Sequence, residues 1–157
     1  MSRIEFHTRR TIRQVEEGTQ LAPKFGEDGV IPCVTTDAES GEVLMLGWMD
    51  ADALRLTLQT GEAHYFSRSR QALWRKGATS GLVQHVIEAR VDDDQDAIWL
   101  RVAVAGSGAS CHVGYRSCFY RAVPTGAEAG SALVFTETEL VFDPATVYGD
   151  APNPTQL

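Results

Sequence analysis

Alternation of apolar and polar positions is clearest in the middle of the chain. In "LVQHVIEARVD" (82–92), Val83, His85, Ile87, Ala89 and Val91 fall on one side, and Gln84, Val86, Glu88, Arg90 and Asp92 on the other. "AIWLRVAVA" (97–105) repeats the period, with Ile98, Leu100, Val102 and Val104 together. A period of two is that of a strand, whose successive side chains leave opposite faces. Two such runs flanking "DDDQD" predict antiparallel strands joined at an acidic turn. Upstream, "GVIPCVTTDAESGEVLMLGWM" predicts two short strands around a turn at Glu39, Ser40 and Gly41. The period then lengthens: "DADALRLTLQTGEA" sets Leu54 and Leu58 on one helical face, with Asp50 as N-cap and Gly61 as the stop. Residues 1–20 are polar and weakly periodic, an N-terminal extension to which no element is assigned. After Pro124, "TGAEAGSA" reads as a connector, "LVFTETELVFD" as a late helix or strand, and "YGDAPNPTQL" as a loose tail, so 125–157 is connector and tail. The fold class this predicts is α+β, a mostly antiparallel sheet with few helices in a single domain.

Composition narrows the function classes. The 157 residues suffice for one domain with a real core, and 43% hydrophobic with 22% charged residues is ordinary for a soluble protein. No apolar run approaches the roughly 18 residues of a membrane span. The start, "MSRIEFHTRRTIRQ", lacks the apolar stretch of a secretory signal, so a cytoplasmic location with reduced thiols is expected. The net charge of −7, from 14 basic and 21 acidic residues, argues against nucleic acid as a partner. Against that background "YFSRSRQALWRK" (65–76) carries Arg68, Arg70, Arg75 and Lys76 with no acid. A local basic patch on an acidic chain suits a small anionic ligand. Ser67, Ser69, Thr79 and Ser80, with Gly77 and Gly81, add the hydroxyls and turns that phosphate oxygens favour. An exposed polar loop has the same composition.

Three cysteines remain. Cys33 lies in an apolar strand and reads as core. Cys111 and Cys118 stand seven apart, with His112 after the first. Reduced conditions weaken a disulfide and favour a metal site or two buried thiols. Zinc holds sulfur at about 2.3 Å, so two thiolate ligands lie within roughly 4 Å of each other. An extended stretch of this length spans on the order of 23 Å, so the chain must double back, which Gly114 makes cheap. His112 beside a ligand is placed to handle a water's protons, or is inert. The acidic run from Asp92 to Asp96 is a solvated turn or a cation site, since crowded carboxylates repel. An EF-hand is excluded, because the sixth and twelfth positions from Asp92 are Ala97 and Ala103. If extended, the run projects Asp92, Asp94 and Asp96 to one side and Asp93 to the other.

Taken together, "LMLGWMDADAL", "YFSRSR", "LWRKGATSG", "VDDDQDA" and "CHVGYRSCFY" resemble the phosphoribosyl-AMP cyclohydrolase family of histidine biosynthesis, from about Leu21 to Pro124. The resemblance makes 21–124 the cyclohydrolase domain, and the 33 residues beyond are too few for a fused second activity. It implies a homodimer with active sites at the subunit interface. It also implies one zinc per subunit, held by cysteines of both chains, and a magnesium site. By position, Cys111 and Cys118 match zinc cysteines, His112 the family's histidine, and Asp92, Asp94 and Asp96 the magnesium aspartates. One position departs: the family's third zinc cysteine, donated across the dimer, is Asp93 in this chain. Carboxylate also binds zinc, at about 2.0–2.2 Å, so the implied zinc set is Asp93, Cys111 and Cys118. Ser67, Arg68, Ser69, Arg70, Arg75, Lys76, Thr79 and Ser80 are then the expected substrate-binding groups. The implied reaction is hydrolysis of the N1–C6 bond of the adenine ring of phosphoribosyl-AMP by metal-activated water, with His112 carrying protons. The rival readings are a metal-dependent deaminase or hydrolase of another purine nucleotide, and a non-catalytic metal- or nucleotide-binding paralogue.

Overall fold

A computed structural model describes residues 3–157. Strands β1 (Ile31–Asp37) and β2 (Val43–Met49) form the expected antiparallel pair. Their turn is set by Asp37, whose Oδ1 accepts the backbone N–H groups of Glu39 at 2.9 Å and Ser40 at 2.8 Å. Helix α2 (Ala51–Thr60) follows directly. Asp50 caps it by accepting from Ala53 N at 2.7 Å, and Gly61 ends it at a left-handed φ of 71°. Leu54 is buried on its inner face and Leu58 packs against the same core.

Strands β5 (Gln84–Val91) and β6 (Ile98–Val104) pair antiparallel across the acidic turn, as their alternation predicts. The four-stranded sheet runs β2-β1-β6-β5, and its central joint, β1 with β6, is parallel. A bulge in β5 between Val86 and Glu88 shifts the register and changes which side faces inward. Gln84 and Val86 lie opposite Val104 and Val102, and beyond the bulge Ala89 and Val91 lie opposite Leu100 and Ile98. Ile87 is thrown out to 61% exposure while Gln84 is fully buried. Strict alternation grouped these residues differently, because one extra residue inverts the parity of every position after it.

Two elements were not anticipated in the middle of the chain. Strands β3 (His64–Ser67) and β4 (Ala72–Arg75) make a hairpin whose turn is the "RSRQ" stretch. At the N-terminus a short helix α1 (Ile12–Glu17) is closed by a reciprocal cap between Thr11 and Gln14. That extension is tied to the acidic turn by Gln95, which is buried and holds a left-handed φ of 55°. Its side chain accepts from Ala22 N at 2.9 Å and donates to Val15 O at 3.0 Å and Gln20 O at 3.2 Å. The core fills the space between the sheet, α2 and β3: Ile31, Leu44, Met49, Leu54, Tyr65, Leu100 and Val102 are all buried. A two-stranded ribbon of β7 (Arg121–Ala122) and β8 (Val134–Phe135) spans Pro124 and the connector, and a short helix α3 (Pro144–Tyr148) follows. No helix among the described residues is long and apolar enough to cross a membrane.

Candidate metal and active site

The stretch from Ser110 to Cys118 folds back on itself. Ser110 N donates to Arg116 O at 2.9 Å, Cys111 N to Tyr115 O at 3.2 Å, and Gly114, at φ 108°, sits at the reversal. The fold-back lies along the free edge of β2. Cys118 N donates to Leu44 O at 2.7 Å and Ser117 Oγ to Val43 O at 2.7 Å. Both sulfurs are thereby brought to hydrogen-bonding range, as the seven-residue spacing requires of a shared metal. The Cys118 bond holds the Cys111 thiol down at about 6, helped by the Val113 backbone and Lys76, with burial opposing. Cys118 moves the other way, so the pair carries one thiolate and one proton. A dication binds by displacing such a proton, so the donor chemistry fits zinc. Cys33 is not part of this: burial pushes its thiol up to about 12 within the core.

Lys76 was expected among the phosphate-binding groups, yet it turns toward the cysteines. Its ammonium donates to Ser110 O at 2.5 Å and lies 5.5 Å from the Trp74 ring centre. Burial pulls its pKa down, and the two cysteines pull it back up. Behind the loop runs a buried polar chain. Tyr65 OH donates to Gln84 Oε1 at 2.6 Å and meets Thr35 Oγ1 at 2.7 Å, while Gln84 Nε2 donates to Ser110 Oγ at 3.1 Å. Tyr65 and Gln84 carried no signal as site residues, yet they anchor the residue before Cys111. His112 follows the first cysteine and is partly buried, which lowers its pKa; Lys76 lowers it further, while a bond from the Asn153 side chain opposes both. Its Nε2 is buried with no partner among the described residues, a polar atom left for a ligand.

The other expected groups fall in three places. Ser67, Arg68, Ser69 and Arg70 crown the β3–β4 hairpin, where Ser67 Oγ accepts from Arg70 Nε at 3.2 Å and Arg68 stacks 4.2 Å from the Trp48 ring centre. Arg75 is engaged by Glu62 at 3.0 Å. Thr79 and Ser80 occupy the next turn, where Ser80 Oγ accepts from Leu82 N at 3.2 Å. The acidic run is a tight turn and not an extended segment, since Asp92 Oδ1 accepts from Asp96 N at 3.0 Å and Ala97 N at 3.2 Å. It still gathers Asp92, Asp94 and Asp96 with carboxylate oxygens within 4.8 Å of one another. Bonds to Asp94 and Asp92 raise Asp96 to about 6, so the trio shares a proton where a cation would fit. Asp93 is outside that group, and among the described residues it does not join the two sulfurs. Beside the turn, a cavity of about 290 Å³ is lined by Arg9, Arg10, Thr11, Val15 and Asp94.

The family model for phosphoribosyl-AMP cyclohydrolase matches residues 45–120, which hold the hairpin, the aspartates and the cysteine loop. A protein of Nitrobacter winogradskyi named phosphoribosyl-AMP cyclohydrolase is 54% identical over 135 residues, covering 86% of this chain and 92% of that protein. One of Bradyrhizobium sp. strain ORS 278 with the same name is 58% identical, covering 80% and 95%. A third, from Rhodopseudomonas palustris strain BisB18, is 56% identical, covering 85% and 90%. With identities this high over nearly the whole of each relative, the chain belongs to the phosphoribosyl-AMP cyclohydrolase family.

Proposed function

We propose that this protein opens the adenine ring of 1-(5-phosphoribosyl)-AMP in histidine biosynthesis by hydrolysing the N1–C6 bond. The observation that carries the reading is the paired Cys111 and Cys118, followed by His112 whose Nε2 has no partner among the described residues, in a chain of this family. Water adds at C6, the C6–N1 bond breaks, and the exocyclic amine stays as a carboxamide. One proton leaves the water and one arrives at N1, so a single group can carry both. His112 has that role: held below its usual range, it is neutral at pH 7 and free to accept. Cys111, Cys118 and an oxygen donor from Asp93 would hold zinc, which when bound lowers the pKa of water from 15.7 to about 7.

The Asp93 donor comes from a second copy of the chain. Supporting a homodimer, β5 is an edge strand with Ile87 61% and Val91 40% exposed, and Asp93 lies two residues beyond its end. Asp92, Asp94 and Asp96 would hold magnesium. The hairpin groups Ser67, Arg68, Ser69 and Arg70, with Thr79 and Ser80, receive the phosphate-bearing arms of the substrate. The test is to offer phosphoribosyl-AMP, AMP and adenosine side by side to protein purified without chelators. Ring opening of the first alone is expected. Release of ammonia from AMP or adenosine would instead make the protein a deaminase, and rescue of a histidine auxotroph provides the cellular check.

A further inference from the structure

The chain beyond the family match returns to the cysteine loop. Thr136 N donates to Tyr120 O at 2.8 Å, and Phe135 packs 6.0 Å from the Tyr120 ring centre and 6.3 Å from that of Tyr115. Glu137 Oε2 then accepts from Ser117 N at 3.3 Å, next to Cys118. Val141 N donates to Gly114 O at 2.8 Å. Contact there is so close that a Cβ on Gly114 would stand 2.8 Å from Phe142 O. The loop is thus held by β2 at Ser117 and Cys118, by Lys76 and Gln84 at Ser110, and by the C-terminal segment at Gly114 and Ser117.

We propose that residues 134–142 form a strap that holds the cysteine loop in its metal-binding shape, with Glu137 as the positioning residue for Cys118. This rests on the zinc reading given above. A carboxylate accepting the Ser117 N–H makes a stronger bond than a neutral acceptor would. Its negative charge also favours the metal, since the carboxylate bonded to the residue before Cys118 is drawn toward a dication at the sulfurs. Strap closure and metal binding therefore favour each other, and the coupling is reciprocal. Outer groups of this kind typically change metal affinity about 10- to 100-fold.

The test uses the full chain and zinc alone, competed against a chromophoric chelator, in wild type, Glu137→Ala, Glu137→Gln and Cys118→Ser. Glu137→Ala is expected to weaken zinc binding by about 10-fold or more, and Glu137→Gln, which keeps an acceptor oxygen, by less. The melting temperature of the zinc-free proteins should be unchanged, which separates positioning from general stability. Amide exchange at Ser117 and Val141 should slow on adding zinc to wild type and respond less in Glu137→Ala. Zinc affinity of Glu137→Ala within twofold of wild type overturns the strap, provided Cys118→Ser abolishes binding. If Cys118→Ser binds zinc like wild type, the metal reading fails instead, and the strap with it.

Discussion

Removing one oxygen from Tyr65 tests whether the buried polar chain supports the site. The ring is 1% exposed, and its hydroxyl donates to Gln84 Oε1 at 2.6 Å while meeting Thr35 Oγ1 at 2.7 Å. Since the single phenolic hydrogen goes to Gln84, Thr35 is the donor in the second bond. Tyr65→Phe leaves the ring in place and creates almost no cavity. It strips Gln84 Oε1, which is fully buried, of its donor, and Thr35 keeps only the weak Cys33 sulfur at 3.8 Å. Each orphaned buried group costs about 1–3 kcal/mol, so a loss of roughly 2–4 kcal/mol is expected. At about 2–4 °C per kcal/mol for a chain of this size, the melting temperature should fall by roughly 4–16 °C. Urea denaturation of wild type, Tyr65→Phe, Gln84→Met and the double variant gives the coupling directly. The double variant should lose less than the sum of the singles by about 1 kcal/mol or more. A Tyr65→Phe loss below about 0.5 kcal/mol, or strict additivity, refutes the argument.

Other expectations follow from the same geometry. His112→Ala should lower kcat by about 10²- to 10⁴-fold with metal content retained; near-normal turnover removes its assigned role. Gly114→Ala places a Cβ 2.8 Å from Phe142 O at φ 108°, so lower stability and weaker zinc binding should appear together in melting and chelator assays. For Asp93, metal analysis of Asp93→Ala should show lost zinc, and unchanged content takes it out of the site. The aspartate trio predicts a pH-dependent response to magnesium. Asp96 is raised from 3.8 to about 6 in the fold, so its contribution is present below pH 3.8 and is lost as pH rises through about 6. Magnesium should therefore raise the melting temperature at pH 7.5, with the gain fading at pH 4.5. An equal shift at both values counts against these ligands.

Much of this was legible in the residues because it is local. The Asp50 cap, the Gly61 stop and the turn at Glu39, Ser40 and Gly41 need only neighbouring groups, and the reversal between Cys111 and Cys118 follows from reach once the two sulfurs share a metal. What was hidden depends on distant partners. The parallel joint of β1 to β6 is a choice between equally apolar strands. The bulge at Ile87 leaves no mark in a run whose two sides are both partly apolar. Thr11 and Gln14 did offer a capping signature for α1, but six residues of helix carry too little periodicity to stand out. Lys76 shows the limit for function: composition grouped it with three nearby arginines and hydroxyls, and only the fold turns it toward Ser110.

The deep placement of Cys33 has a practical consequence. With its sulfur enclosed and its ionisation pushed up to about 12, it should ignore alkylating reagents for as long as the protein stays folded. Any label that the native chain takes up then reports on the other two sulfurs alone, so counting labels by mass spectrometry with and without added zinc tests the proposed metal site, where a bound ion would protect both.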